Sequence, residues 1–282
     1  MANCYFVVFK KRQREMEKLA IATLLWVALV GCNKGVEKAQ EVPLKSATII
    51  VTYDNNPYDD RLKTAWGFSC VVRCGGKSIL FDTGGDSATL LYNMEQLQID
   101  PKEIDTVILS HIHGDHVGGL SGFLKRNSNV TVYLPKSFPQ SFKTEIESYG
   151  AKFEEVSKGK KLLDNVYTTG ELGTWIKEQS LILNTTKGLV IITGCAHPGV
   201  VKIVEKSKQL VGGTPLLVMG GFHLGGTSEG EIRQIIADFK RLGVPQVGPC
   251  HCSGDRARRL FREAYGENFL EVGIGRTIII GE

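Results

Sequence analysis

His111, His113, Asp115 and His116 place four metal-capable side chains in the six residues His-Ile-His-Gly-Asp-His. Neutral imidazole and carboxylate are ligands for zinc, manganese or iron, and a catalytic metal site keeps a coordination position open for water. In an extended segment, residues two apart face the same way, so His111, His113 and Asp115 converge while His116 points to a neighbouring position. That spacing suits two adjacent divalent ions. A histidine-rich surface loop would have the same composition. The context argues for metal: the apolar run Thr106 to Leu109 reads as a buried strand before the motif, and Val117-Gly118-Gly119-Leu120 reads as a helix start after it. The chain has six histidines, and the other three, His197, His223 and His251, also follow apolar runs, Leu189 to Thr193, Leu216 to Met219 and Val247 to Pro249. Ligands at strand ends gather on one edge of a layered fold.

The elements that must carry these residues can be read from periodicity. Strands are expected near Ala47 to Thr52, Phe68 to Val72, Lys77 to Phe81, Thr106 to Leu109, Val130 to Leu134, Gln179 to Leu183, Leu189 to Thr193, Pro215 to Met219 and Gly275 to Ile280. Helices are expected at Ser87 to Leu97, Leu120 to Lys125, Ser141 to Tyr149, Val200 to Lys208, Glu229 to Arg241 and Asp255 to Tyr265. Strands dominate early and alternate with helices later. An α/β (α+β) fold follows, two mixed sheets face to face with helices outside. The loops Asn55 to Lys63 and Phe138 to Lys161 are polar and are expected to shape specificity.

Residues 1–45 do not read as globular core. Lys10, Lys11, Arg12, Arg14 and Lys18 precede the apolar stretch Leu19 to Val30, which is short for a bilayer span but suited to a secretory signal. It ends in Leu29-Val30-Gly31-Cys32, which resembles a bacterial lipoprotein processing site with Cys32 lipidated. Residues 1–31 are therefore expected to be a signal peptide, with Met16 an alternative start, 32–45 a polar tether and 46–282 the catalytic domain. The protein is expected to be exported and anchored to the membrane through lipid, on the periplasmic or cell-surface side. Roughly 240 residues then remain, enough for one large domain.

The net charge of +4 lies partly in the segment expected to be removed, and no nucleic-acid partner is expected. Arg256, Arg258, Arg259 and Arg262 read as a solvated helix face, with contact to an anionic small-molecule substrate as the functional alternative. Of seven cysteines, Cys4 and Cys32 fall in the leader, Cys70 and Cys74 stand roughly 13 Å apart in one strand, and Cys250 and Cys252 flank His251. No structural disulfide is expected.

The histidine-x-histidine-x-aspartate-histidine turn resembles the signature of the metallo-β-lactamase superfamily, over about Ser46 to Glu282. Ile79-Leu80-Phe81-Asp82-Thr83-Gly84 is similar to the superfamily's early strand, whose aspartate braces the metal loop. Tyr53-Asp54-Asn55, Gly67-Phe68-Ser69, Asn93-Met94, Thr193 to Gly199, Gly220 to Leu224 and Cys250 to Gly254 resemble one group within it, the 7,8-dihydropterin-6-methyl-4-(β-D-ribofuranosyl)aminobenzene-5'-phosphate synthase-like metal-dependent hydrolases. The resemblance implies a four-layer αββα sandwich. It implies that His111 and His113 bind a first metal, that Asp115, His116 and His251 bind a second, and that Asp82 stands behind them. Where the superfamily has a bridging aspartate this chain has Cys195, and Glu178, a possible metal ligand or supporting residue, stands where a histidine would be, so His197 is the substitute ligand. A thiolate at Cys195 would favour softer zinc over a purely oxygen-loving ion, with manganese or iron as the alternatives. Simple burial of the cysteine is the alternative. His223 is either a substrate-binding residue, an orienting partner or a packed histidine.

Two divalent ions lower the pKa of a shared water, so hydroxide can attack a carbonyl carbon or phosphorus near neutral pH, with Asp115 orienting it. The expected function is hydrolysis of an ester-like bond, phosphoester or carboxylic ester, thioester or lactone, in a small molecule. The alternatives are a dihydropterin diphosphate-dependent transferase and a catalytically silent metal-dependent binding protein.

Overall fold

The computed structural model describes residues 42–281. The expected signal peptide, the alternative start at Met16, Cys32 and the tether up to residue 41 lie outside the described residues. Val42 to Lys45 belong to the domain rather than to a tether. Leu44 is buried in the main core, its N–H donates to Asn184 O at 2.9 Å and its carbonyl accepts from Thr186 N at 2.9 Å. An apolar side chain with a sheet to pair against does not stay in a linker.

In chain order the elements are β1 (Ala47–Asp54), β2 (Phe68–Cys74), β3 (Lys77–Phe81), α1 (Ser87–Gln96), β4 (Thr106–Ile108), α2 (Gly114–Val117), α3 (Leu120–Arg126), β5 (Thr131–Pro135), α4 (Gln140–Ser148), β6 (Lys152–Val156), β7 (Lys158–Leu163), β8 (Val166–Gly170), β9 (Leu181–Thr185), β10 (Gly188–Thr193), α5 (Val200–Val211), β11 (Pro215–Gly221), α6 (Glu229–Arg241), β12 (Gln246–Cys250), α7 (Asp255–Tyr265) and β13 (Thr277–Ile280). One sheet runs β13-β1-β2-β3-β4-β5-β6 and the other β12-β11-β10-β9-β8-β7.

Alternation along the strands builds four layers. Ile49 and Val51 of β1 enter the core between the sheets, joining Val190 and Ile192 of β10, while Ile50 faces the layer of α1, α3 and α4 and a register shift after Val51 turns Tyr53 to that same layer. Leu189 and Ile191 face the opposite layer, where α5, α6 and α7 contribute Ile203, Ile232, Phe239 and Phe261. Strands buried on both faces read as continuous apolar runs, which is why β1 and β10 were legible.

Within the expected loop Phe138 to Lys161, α4 falls where the helix Ser141 to Tyr149 is expected, but β6 and most of β7 escaped the periodicity reading, as did β8, and β12 was legible only as the apolar run Val247 to Pro249. β6 (Lys-Phe-Glu-Glu-Val) and β7 (Lys-Gly-Lys-Lys-Leu-Leu) sit at sheet edges, where charge is tolerated and blocks further pairing.

β3, β4 and β5 are parallel in the first sheet, and β10, β11 and β12 in the second. Their carboxyl ends deliver Asp82, Ser110-His111, Cys195-His197, His223 and His251-Cys252 to one edge of the sandwich. Ligand sites in α/β sheets form at such ends.

Candidate metal centre

The motif does not continue as a strand, contrary to the alternation expected for His111, His113 and Asp115. β4 stops at Ile108, His113 is the N-cap residue of α2, and Asp115 and His116 lie within that single helical turn. The backbone must turn because its carbonyl at His116 is claimed by Thr83, whose N and Oγ1 donate to it at 2.8 and 3.0 Å. Glycines make this approach feasible. A Cβ on Gly118 would stand 2.1 Å from Gly85 O, and one on Gly119 2.1 Å from Thr83 O.

Behind the turn lies Asp82, fully buried with φ of +55°. Its Oδ1 accepts from Ser110 N at 2.6 Å, and its Oδ2 accepts from Ser110 Oγ at 2.7 Å and pairs with His116 Nδ1 at 2.7 Å. Ser110 Oγ, having given its proton to Asp82, accepts from His111 Nδ1 at 2.8 Å. On the facing sheet Glu178 plays the corresponding part. Its carboxylate accepts from the backbone N–H groups of Cys195, Ala196 and His197 at 2.9, 2.8 and 2.9 Å and pairs with His197 Nδ1 at 2.9 Å. Both oxygens are spent in this way. Glu178 thereby braces His197 and its own loop backbone. Asn55 completes the set, its Oδ1 lying 2.9 Å from His251 Nδ1.

These contacts fix the tautomers. With Nδ1 protonated toward Asp82, Ser110, Glu178 or Asn55, the Nε2 lone pairs of His116, His111, His197 and His251 point inward. His116 Nε2 lies 3.3 Å from His251 Nε2 and 3.1 Å from Cys195 Sγ, and His251 Nε2 lies 3.3 Å from Asp115 Oδ2. In the metal-free protein a proton on His251 Nε2, shared with Asp115, joins these donors, and a divalent cation fits the place that proton would vacate. Donor atoms of Asp115, His116, Cys195 and His251 lie within 4.8 Å of one another, as do those of His111, Cys195 and His197. The Cys195 sulfur belongs to both groups. His113 stands beside them, its Nδ1 3.1 Å from His111 Nε2.

The electrostatics suit ligation. Burial and the neighbouring His116 lower His111 to about 3, and burial with His251 lowers His116 to about 3, so both rings are neutral at working pH. Burial pushes Asp82 up to about 7. Burial also opposes ionisation of Glu178, but the His197 hydrogen bond, His111 and the backbone donors outweigh it and hold the group at about 2. For Asp115 burial is likewise outweighed, by the hydrogen bond from His251 and by His116, and its carboxyl stays below the usual range.

His223 reaches the same region with φ of +53°, its ring 4.5 Å from that of His197, but it is exposed. Trp66, 60% exposed, lies 4.9 Å from the His251 ring at the mouth. Asn55, Ser110, Trp66 and Cys252 were not singled out from sequence as site residues. Ser110 and Cys252 directly flank His111 and His251, which was the available signal.

The arginine cluster of α7 is largely committed elsewhere. Arg258 and Arg262 pair with Glu271, Arg259 with Glu229 and Glu263 at 2.7 and 2.9 Å, and Arg256 donates to Thr227 O at 3.2 Å. The five described cysteines, Cys70, Cys74, Cys195, Cys250 and Cys252, are all free thiols.

The metallo-beta-lactamase superfamily model matches residues 67–206. The 7,8-dihydropterin-6-methyl-4-(beta-D-ribofuranosyl)-aminobenzene-5'-phosphate synthase of Methanocaldococcus jannaschii is 33% identical over 247 residues, 72% of this chain and 84% of that protein. The chain belongs to the metallo-beta-lactamase superfamily. Among solved superfamily structures, a metal-dependent hydrolase aligns with a TM-score of 0.71 at 27% identity, covering 84% of this chain and 100% of the other. The metallo-beta-lactamase fold protein YhfI of Bacillus subtilis, at 14% identity with a TM-score of 0.63 and coverage of 83% and 99%, shares the fold.

Proposed function

We propose that the protein is a hydrolase that uses a dinuclear, zinc-type centre to cleave an ester-like bond, phosphoester or carboxylic ester, thioester or lactone, in a small molecule. The inward convergence of four anchored imidazole lone pairs on Asp115 and Cys195 is the observation that supports it. His111, His113 and His197 with Cys195 would hold one ion, and Asp115, His116 and His251 with Cys195 the other. When bound, the ions supply Lewis acidity and bring the pKa of water near neutral. The chain's own residues do the rest. Asp115, 22% exposed at its side chain, is the one carboxylate of the cluster that solvent reaches, so it orients the attacking water and takes its proton at a carboxylate oxygen. Asp82, Glu178 and Asn55 hold the rings so that no reorganisation is needed during reaction.

A second reading, transfer of a pterin diphosphate to an aromatic amine, is supported by the name of the Methanocaldococcus jannaschii relative. The discriminating experiment is incubation of the zinc-loaded protein with phosphodiesters, lactones, thioesters and pterin diphosphate, with and without an aromatic amine. Hydrolysis, abolished in Asp115→Asn, is the expected outcome. Amine-dependent condensation would favour the synthase, and tight binding without product would leave a binding protein.

We also propose that the mature chain is a lipoprotein anchored through Cys32, which the charged-then-apolar order and Gly31-Cys32 support. Cys32→Ala is expected to abolish incorporation of labelled fatty acid, and unchanged labelling would refute the assignment.

A further inference from the structure

Among the described residues, one donor set remains beside the two already described. The sulfurs of Cys195 and Cys252 and a ring nitrogen of His223 lie within 4.8 Å of one another. The three come from the ends of β10, β11 and β12, and neither His223 nor Cys252 is needed for the pair of ions proposed above. We propose that Cys195, His223 and Cys252 form a third, sulfur-rich site for a soft divalent cation of the zinc or cadmium class, sharing the Cys195 sulfur with the dinuclear centre. The site rests on the metal reading of that centre only through the shared sulfur.

Chemistry and local structure both favour it. Two thiols and an imidazole form a donor set that selects zinc-like ions over calcium or magnesium. Tetrahedral zinc with bonds of about 2.0–2.3 Å spaces its donors roughly 3.5 Å apart, within reach of small rotamer shifts from the observed spread. Gly221 keeps the space open. A Cβ there would stand 2.7 Å from Cys252 Sγ and 3.2 Å from Cys195 Cα. His223 is exposed and held at φ of +53°, a conformation glycine would adopt without strain, on a segment where Gly220, Gly221 and Gly225 are already used. An exposed ring in a strained backbone turned toward two buried sulfurs is better explained by what it binds than by packing. Three protein ligands leave a fourth position toward solvent, the pattern of a site that accepts a water or a substrate atom.

The test is metal stoichiometry, with zinc chloride and cobalt chloride as probes. The purified protein and its Cys252→Ser and His223→Ala variants are loaded, freed of excess ion and analysed by elemental mass spectrometry, and the cobalt forms by absorption. Three equivalents in the wild type and two in each variant are expected, with Cys252→Ser losing intensity in the sulfur-to-cobalt charge-transfer band. Since His223 is exposed, its variant is expected to keep the wild-type circular dichroism even if Cys252→Ser does not fold. Two equivalents in all three proteins would overturn the third site while leaving the dinuclear reading intact. Fewer than two in the wild type would overturn both. Three retained in both variants would place the extra ion elsewhere and overturn the assignment. A Cys195–Cys252 disulfide in the intact mass of the wild type as isolated, without a third equivalent, would also overturn it.

Discussion

Each inward-facing imidazole is held by a particular acceptor on its far nitrogen, and that is where single substitutions are most informative. Glu178→Gln keeps the shape of the side chain but sets an amide NH2 against N–H donors that now share two carboxylate oxygens. The variant is expected to lose about 10- to 100-fold in affinity for the ion at His197, and about 1–3 kcal/mol of stability through unsatisfied buried groups. Competition with a chromogenic chelator and chemical denaturation would read the two effects. An affinity within twofold of wild type would remove Glu178 from the support of the centre. His251 is the residue whose protonation competes most directly with metal. Burial alone would lower its pKa, but Asp115, Cys252 and Asp54 raise it above the ordinary imidazole value. Loading the Asp115–His116–His251 set must therefore displace a proton from His251 near neutral pH. Zinc titrations in buffers of differing ionisation enthalpy should report proton release that shrinks as pH rises.

At the scale of elements, the site depends on a helical turn pressed into a neighbouring loop. Gly118→Ala and Gly119→Ala each force a methyl group to 2.1 Å from a backbone carbonyl, and overpacking of this kind costs about 1–3 kcal/mol. Thermal melts of the metal-free variants should fall below wild type, whereas Gly114→Ala, with nothing within 4 Å of its Cβ, should fall much less. Equal melting temperatures for all three would refute the close approach. The same turn marks the limit of what residue order alone conveyed. His111 to His116 announced metal by type and spacing, and apolar runs located the strands that end at Asp82, His111 and Cys195. Alternation placed Asp115 in an extended chain, because the bond from Thr83 to the His116 carbonyl joins residues 33 apart and leaves no local trace. β6 and β7 were missed because edge strands carry Lys and Glu where inner strands carry Val and Ile. From its position in the chain Glu178 was open as a metal ligand or a supporting residue, and the three backbone N–H groups gathered around it, which favour the second role, leave no trace in the sequence.

For the whole molecule, a cluster of buried neutral histidines makes the metal-free fold sensitive to acid. His111 and His116 titrate near 3 when folded but near 6.5 when unfolded, so the unfolded chain binds two more protons between those values. Asp82, raised to about 7 from 3.8, works the other way between pH 3.8 and 7. Among these three groups the balance is proton uptake on unfolding, so their contribution to stability should fall as pH drops from about 6.5 toward 3.8. Glu178, lowered to about 2 from 4.5, adds to the loss below pH 4.5 as its folded form resists protonation. Denaturation curves of the chelator-treated protein across this window would check the slope. A flat or inverted profile would mean that the rings are not buried neutral. Zinc added at neutral pH should raise the melting temperature, since it binds only the assembled cluster. The most direct measurement is anomalous diffraction at the zinc edge from crystals grown with zinc. Peaks within about 2.0–2.3 Å of the inward nitrogens of His111, His116, His197 and His251 and of the Cys195 sulfur are expected. A zinc-saturated crystal with no anomalous density among those atoms would contradict the account.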